Sequence, residues 1–69
     1  MMTWAIYHRP KFSSYPYAAR EYTPEGHTGK VLEDISLEGL RGQIPAGFKM
    51  TFQSALVDPL VIEMWTRLD

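Results

Sequence analysis

The chain has 69 residues, of which 45% are hydrophobic and 22% charged, with a formal net charge of −1 and no cysteine. That length supports one domain (1–69) with one small core, in the size range where folding buries only about 60% of the surface of the unfolded chain. The composition excludes a disordered chain and a disulfide-stapled scaffold, and with two histidines as the only nitrogen ligands it serves zinc poorly.

Residues 3–8 read as a first strand, because Trp4, Ile6 and His8 alternate with Thr3, Ala5 and Tyr7 and β-favouring types dominate. Pro10, Pro16 and Pro24 then punctuate a loop over about 9–24, with a short strand expected near Ala18–Tyr22. Thr23-Pro24-Glu25-Gly26 and Ile44-Pro45-Ala46-Gly47 both carry the proline-second, glycine-fourth order of a type I turn. Lys30–Ile35 is expected to return as a strand against 18–22, closing a hairpin through Pro24–Gly29, although a helix capped by Thr28 competes for it. Ser36 caps a short helical turn in which Leu37, Leu40 and Ile44 share one side, kept short by Gly39 and Gly42. Phe48, Met50 and Phe52 alternate with Lys49, Thr51 and Gln53 as a strand with one core face and one wet face.

At the C-terminus, Asp58-Pro59 is a helix-opening pair, with Val61, Met64, Trp65 and Leu68 at helical spacing and Glu63 facing Arg67 at i+4. Val61, Ile62, Trp65 and Thr66 are also good strand formers, so a hairpin turning at Asp58-Pro59 competes with the helix. The helix is the expectation. The expected fold is therefore α+β: a small antiparallel sheet of three to four strands with one C-terminal helix, the 9–24 loop lying across an edge or face. A small all-β barrel-like domain is the alternative.

Residues that could carry chemistry are sparse. His8 and His27 are the candidates for proton transfer, yet neither has a partner nearby in sequence, and no serine sits in a nucleophile elbow. Glu33-Asp34 reads as a solvated strand end, since neighbours on a strand face opposite ways. Gly39-Leu40-Arg41-Gly42 matches the Gly-x-x-Gly spacing of a nucleic-acid clamp, but the long helix such a loop should enter is absent, and a short turn accounts for it. The sequence points to no enzyme and no cofactor.

One region points outward. Trp4, Tyr7, Phe12, Tyr15, Tyr17 and Tyr22 lie in the first 30 residues, interleaved with Arg9, Lys11, Arg20 and Lys30, so residues 1–30 carry +2 and residues 31–69 carry −3. Tyrosine, tryptophan and arginine are the types enriched at binding hot spots. The same types also suit single-stranded nucleic acid, through base stacking and phosphate contacts. A pI near 6.1 and few cations favour a protein partner. The expected function is a small non-enzymatic protein-binding module, an accessory subunit or stoichiometric inhibitor, that docks on a larger protein through Tyr7, Arg9, Lys11, Phe12, Tyr15, Tyr17, Arg20 and Tyr22. A single-stranded nucleic-acid binder using the same surface is the alternative. Any one of these rings can instead fold back and complete a core, and Trp4 and Trp65 are expected to do so. The lack of cysteine, of a signal-like start and of an apolar run of about 18 residues suggests an intracellular, cytoplasmic protein away from membranes. With disulfides excluded and zinc poorly served, association with a partner or a second copy is the remaining support for so small a core.

Overall fold

The computed structural model describes residues 1–54 and 61–68. Among these residues five strands, β1 (Met2–His8), β2 (Tyr17–Thr23), β3 (Gly26–Asp34), β4 (Lys49–Gln53) and β5 (Val61–Arg67), form one antiparallel sheet in the order β3-β2-β1-β5-β4, and one helix, α1 (Leu37–Gln43), connects β3 to β4. β1 is the middle strand. It pairs on one side with β2 (Ile6 opposite Ala19) and on the other with β5 (Trp4 opposite Trp65).

Strand alternation sorts the side chains onto two faces. On the first, Trp4, Ile6, Ala19 and Leu40 form the buried cluster, with Leu32, Leu37, Ile44, Phe48, Ile62 and Trp65 packed around it. Helix α1 covers this face. It starts where expected, with Ser36 in extended conformation and its hydroxyl accepting from the Gly39 amide at 2.9 Å. Gly39 also serves packing: a Cβ there would lie 2.6 Å from the Asp34 carboxylate, which accepts from the Ser36 amide at 3.0 Å and from Gln43 at 3.0 Å. The second face carries Ala5, Tyr7, Ala18, Arg20 and Tyr22, and the connection from His8 to Tyr17 lies against it.

The expected architecture needs correction in three places. The sheet has five strands, and it is open, so neither the three-to-four-stranded α+β arrangement nor the barrel holds. The C-terminal segment is not a helix: Val61–Arg67 is β5, held between β1 and β4. Asp58-Pro59 lies outside the described residues. The helical spacing of Val61, Met64, Trp65 and Leu68 misled because a strand sends Met64 and Trp65 to opposite faces, and Leu68 is 80% exposed. Glu63 does not meet Arg67 along a helix; its partner is Arg41 of α1. Among the described residues the one helix lies in mid-chain.

Finer departures follow the same logic. The β2–β3 hairpin is tighter than expected, with Thr23 opposite Gly26. The second reversal turns through Ala46 and Gly47, where Gly47 adopts a φ of 95° that a side chain would resist. β4 is a strand, but an outer one and exposed throughout. An irregularity between Met50 and Phe52 sets them opposite Trp65 and Met64 respectively, hence on different faces, so their alternation does not make one buried side.

Candidate functional site

The connection between β1 and β2 is an organised loop. Its ends are tied by the Arg9 amide donating to the Pro16 carbonyl at 2.7 Å, and the Ser13 hydroxyl accepts from the Tyr15 amide at 3.0 Å. Arg9 enters it at a φ of 52°, the only non-glycine residue with positive φ among those described. Three further features fasten the loop to the sheet. Phe12 stands edge-on to Tyr7 with ring centroids 5.2 Å apart. The Arg20 guanidinium stacks over Phe12 at 3.8 Å. The Ser13 hydroxyl donates to Glu33 on β3. Pro10 is buried, and the small Ala5 and Ala18 leave room on this face for a close cover.

Tyr7 and Tyr22 join this cluster through their hydroxyls, 2.8 Å apart, and Tyr22 tilts against His27 at 5.5 Å. Burial raises the Tyr7 pKa, the hydrogen bond and charge of Tyr22 raise it further, and the Arg20 cation opposes them; the result is about 12 against an ordinary 10.0. Tyr7 is thus a neutral phenol at any physiological pH. The Arg20 Nε is buried without a hydrogen-bond partner, so this guanidinium is held chiefly by ring contact.

The eight residues expected to make a contact surface therefore divide. Tyr7, Phe12, Arg20 and Tyr22 come together on one face, as the support beneath the loop. Tyr17 goes to the opposite face, stacked on His8 at 5.0 Å and packed against the core. Arg9, Lys11 and Tyr15 are exposed on the loop itself. Sequence reasoning missed Ser13 and Glu33 as the clasp of this loop; the signal available was a serine pair between two prolines. It also missed the best-buried charge in the described chain, Glu63, which is 1% exposed. Arg41 binds Glu63 through two nitrogens, and Trp65 Nε1 donates to the same carboxylate at 2.9 Å. Burial pushes the Glu63 pKa up, but the donors and the Arg41 charge outweigh it and hold the carboxyl below its ordinary 4.5. This pair ties α1 to β5.

Ion pairs join Lys30 to Glu21 at 3.9 Å and Arg41 to Glu63, both on the helix side of the sheet. On the loop side, Arg9, Lys11 and Arg20 have no carboxylate within ion-pair distance among the described residues. A hollow of about 140 Å³ opens in the loop, lined by Arg9, Pro10, Ser13, Ser14, Tyr15 and Pro16. The other candidates carry less. His8 and His27 make ring contacts with tyrosines, and no group of three potential metal-ligating residues occurs among those described. Glu33 and Asp34 face opposite ways, toward the loop and toward α1. Gly39–Gly42 lies within the helix. No helix among the described residues is long and apolar enough to cross a membrane. Comparison with protein-family models, with curated proteins and with solved structures finds no match to this chain.

Proposed function

We propose that this chain is a small non-enzymatic protein-binding module, an accessory subunit or stoichiometric inhibitor, and that its contact surface is the loop carrying Arg9, Lys11 and Tyr15. The observation that supports this reading is the fastening of the loop: it is closed at its ends, clasped by Ser13 to Glu33, and held from beneath by Phe12 between Tyr7 and Arg20. A loop fixed before contact loses little conformational freedom on binding, so its exposed tyrosine and two cations are preorganised for a partner. Of the rings expected at the surface, Tyr15, 43% exposed, is the one left to insert into a partner. The nucleic-acid alternative is weakened by the same geometry, because Tyr7, Phe12, Tyr17 and Tyr22 are engaged with one another or with neighbours and do not offer a run of free stacking faces.

The test is affinity capture from a nuclease-treated lysate of the source cells, comparing the parent protein with Tyr15→Ala. A stoichiometric partner held by the parent should be lost from the variant, as for a hot spot worth about 2 kcal/mol, while the circular dichroism spectrum stays the same. Equal capture by both proteins removes Tyr15 and its loop from the interface.

A further inference from the structure

The charges around the loop specify the partner's chemistry further. This step rests on the loop being the contact surface. The hollow between Arg9 and Pro16 has the volume of about four or five waters, enough for one carboxylate and the methylenes behind it. Pro10, Pro16 and Tyr15 supply apolar wall for such a stem. Among the polar residues that line it, Ser13 is already committed to Glu33 and to the Tyr15 amide, whereas the side chains of Arg9 and Ser14 have no hydrogen-bond or ion-pair partner among the described residues. Lys11, exposed and without an ion pair, adds attraction at the rim. An uncommitted arginine and serine at the lining of a small hollow suit a carboxylate, which a guanidinium can bind through two nitrogens.

We infer that the loop recognises an acidic peptide segment, one glutamate or aspartate side chain of which seats in the hollow against Arg9 and Ser14 while Tyr15 packs alongside. The Glu33 carboxylate behind Ser13 opposes any anion seated there, and a phosphate group, which brings nearly twice the charge of a carboxylate, meets nearly twice that repulsion and fits less well. A nucleic-acid backbone needs a longer track of cations than the loop's two.

The experiment uses the full chain and fluorescence anisotropy with four labelled probes: a glutamate-rich peptide containing one tyrosine, the same peptide with every glutamate replaced by glutamine, a phosphoserine version, and oligothymidylate. The glutamate peptide should bind at least about tenfold more tightly than the glutamine peptide, as expected of a charge-assisted contact, and the difference should shrink as added salt brings the Debye length below about 10 Å. Arg9→Gln should erase the preference and Arg9→Lys should restore part of it, while Lys49→Gln on the far outer strand should leave it unchanged. Should Arg9→Gln fail to fold at its positive φ, Ser14→Ala and Lys11→Gln each carry the test, with smaller losses. Equal binding of the glutamate and glutamine peptides, or tighter binding of the phosphoserine peptide or the oligonucleotide, overturns the inference. If the probes show no charge preference but Tyr15→Ala still loses its captured partner, the loop remains the interface and only its acidic specificity falls. If Tyr15→Ala captures normally, both fall.

Discussion

The sheet wears two covers of opposite character. On one face α1 inserts Leu40, fully buried, among Trp4, Ile6 and Ala19, and secures itself by pairing Arg41 with the buried Glu63. On the other, the 9–16 loop rests on half-buried rings and one clasp, and turns its cations outward. The first cover is bound by desolvated contacts whose loss must loosen the whole molecule. The second is bound by ring-edge and cation–ring contacts, each worth about 1 kcal/mol, so it can be released while the sheet stays intact. The helix is the firm cover and the loop the releasable one.

The comparison breaks most visibly at Leu40. Leu40→Ala should lower the unfolding free energy by about 3 kcal/mol, read by urea denaturation, with one cooperative transition retained. A loss below 1 kcal/mol would mean that α1 is a loose cover as well.

Arg41→Met comes next. It leaves Glu63 buried with only Trp65 and Gln53 as donors, and because Arg41 is 36% exposed the expected loss is about 2 kcal/mol, under the usual range for a broken buried pair. The pH dependence gives an independent reading. A carboxyl held below 4.5 in the fold contributes stability that is complete above 4.5 and is lost as pH falls through the lower folded value. Without Arg41 the cost of burying the charged carboxylate is less opposed, so the acid unfolding midpoint should move to higher pH; an unmoved midpoint would show that Arg41 does not set the Glu63 pKa.

Phe12→Ala sharpens the contrast. It should cost about 1–2 kcal/mol, and hydrogen exchange should quicken at the Arg9 amide, which bonds Pro16, while β1 and β5 amides keep their protection. Uniform loss of protection would make the loop part of the global unit. The smallest effect belongs to Tyr22→Phe, which removes the hydroxyl beside Tyr7. The Tyr7 pKa should fall from about 12 toward 10.0, followed by phenolate absorbance, with a stability change under about 1 kcal/mol. Because that pKa is raised in the fold, the stability linked to it is full below 10.0 and disappears as pH rises through about 12.

What could be read from sequence was what local residues decide. Alternation at 3–8, the Ser36 cap and the proline-marked hairpin turn act within a few residues, and each element stands close to its expected place. The state of 61–67 was not local: its residues satisfy helical spacing and strand preference together, and pairing with β1, some sixty positions away, settles the matter. Phe48, Met50 and Phe52 announced a strand but not its exposure, because burial depends on which strand lies outermost and on a bulge that no residue type marks. The same applies to the candidate site. Composition located the aromatic and basic region, but whether a ring supports or faces outward depends on the face its position takes. That put Tyr7 and Tyr17, on adjacent strands but one register position apart, on opposite sides.

The central pairing of β1 with β5 also governs how the molecule can be made. The two strands farthest apart along the chain, β1 and β5, are neighbours in the sheet, Met2 lying opposite Arg67. The β1–β3 meander can form from neighbouring residues as soon as it is synthesised, but β1 keeps one bare edge until Val61–Arg67 has left the ribosome. Closing that long span is slow by the usual relation between topology and folding rate. During the interval the exposed strand is an adhesive edge, and the nascent chain is at its most vulnerable to pairing with a copy of itself.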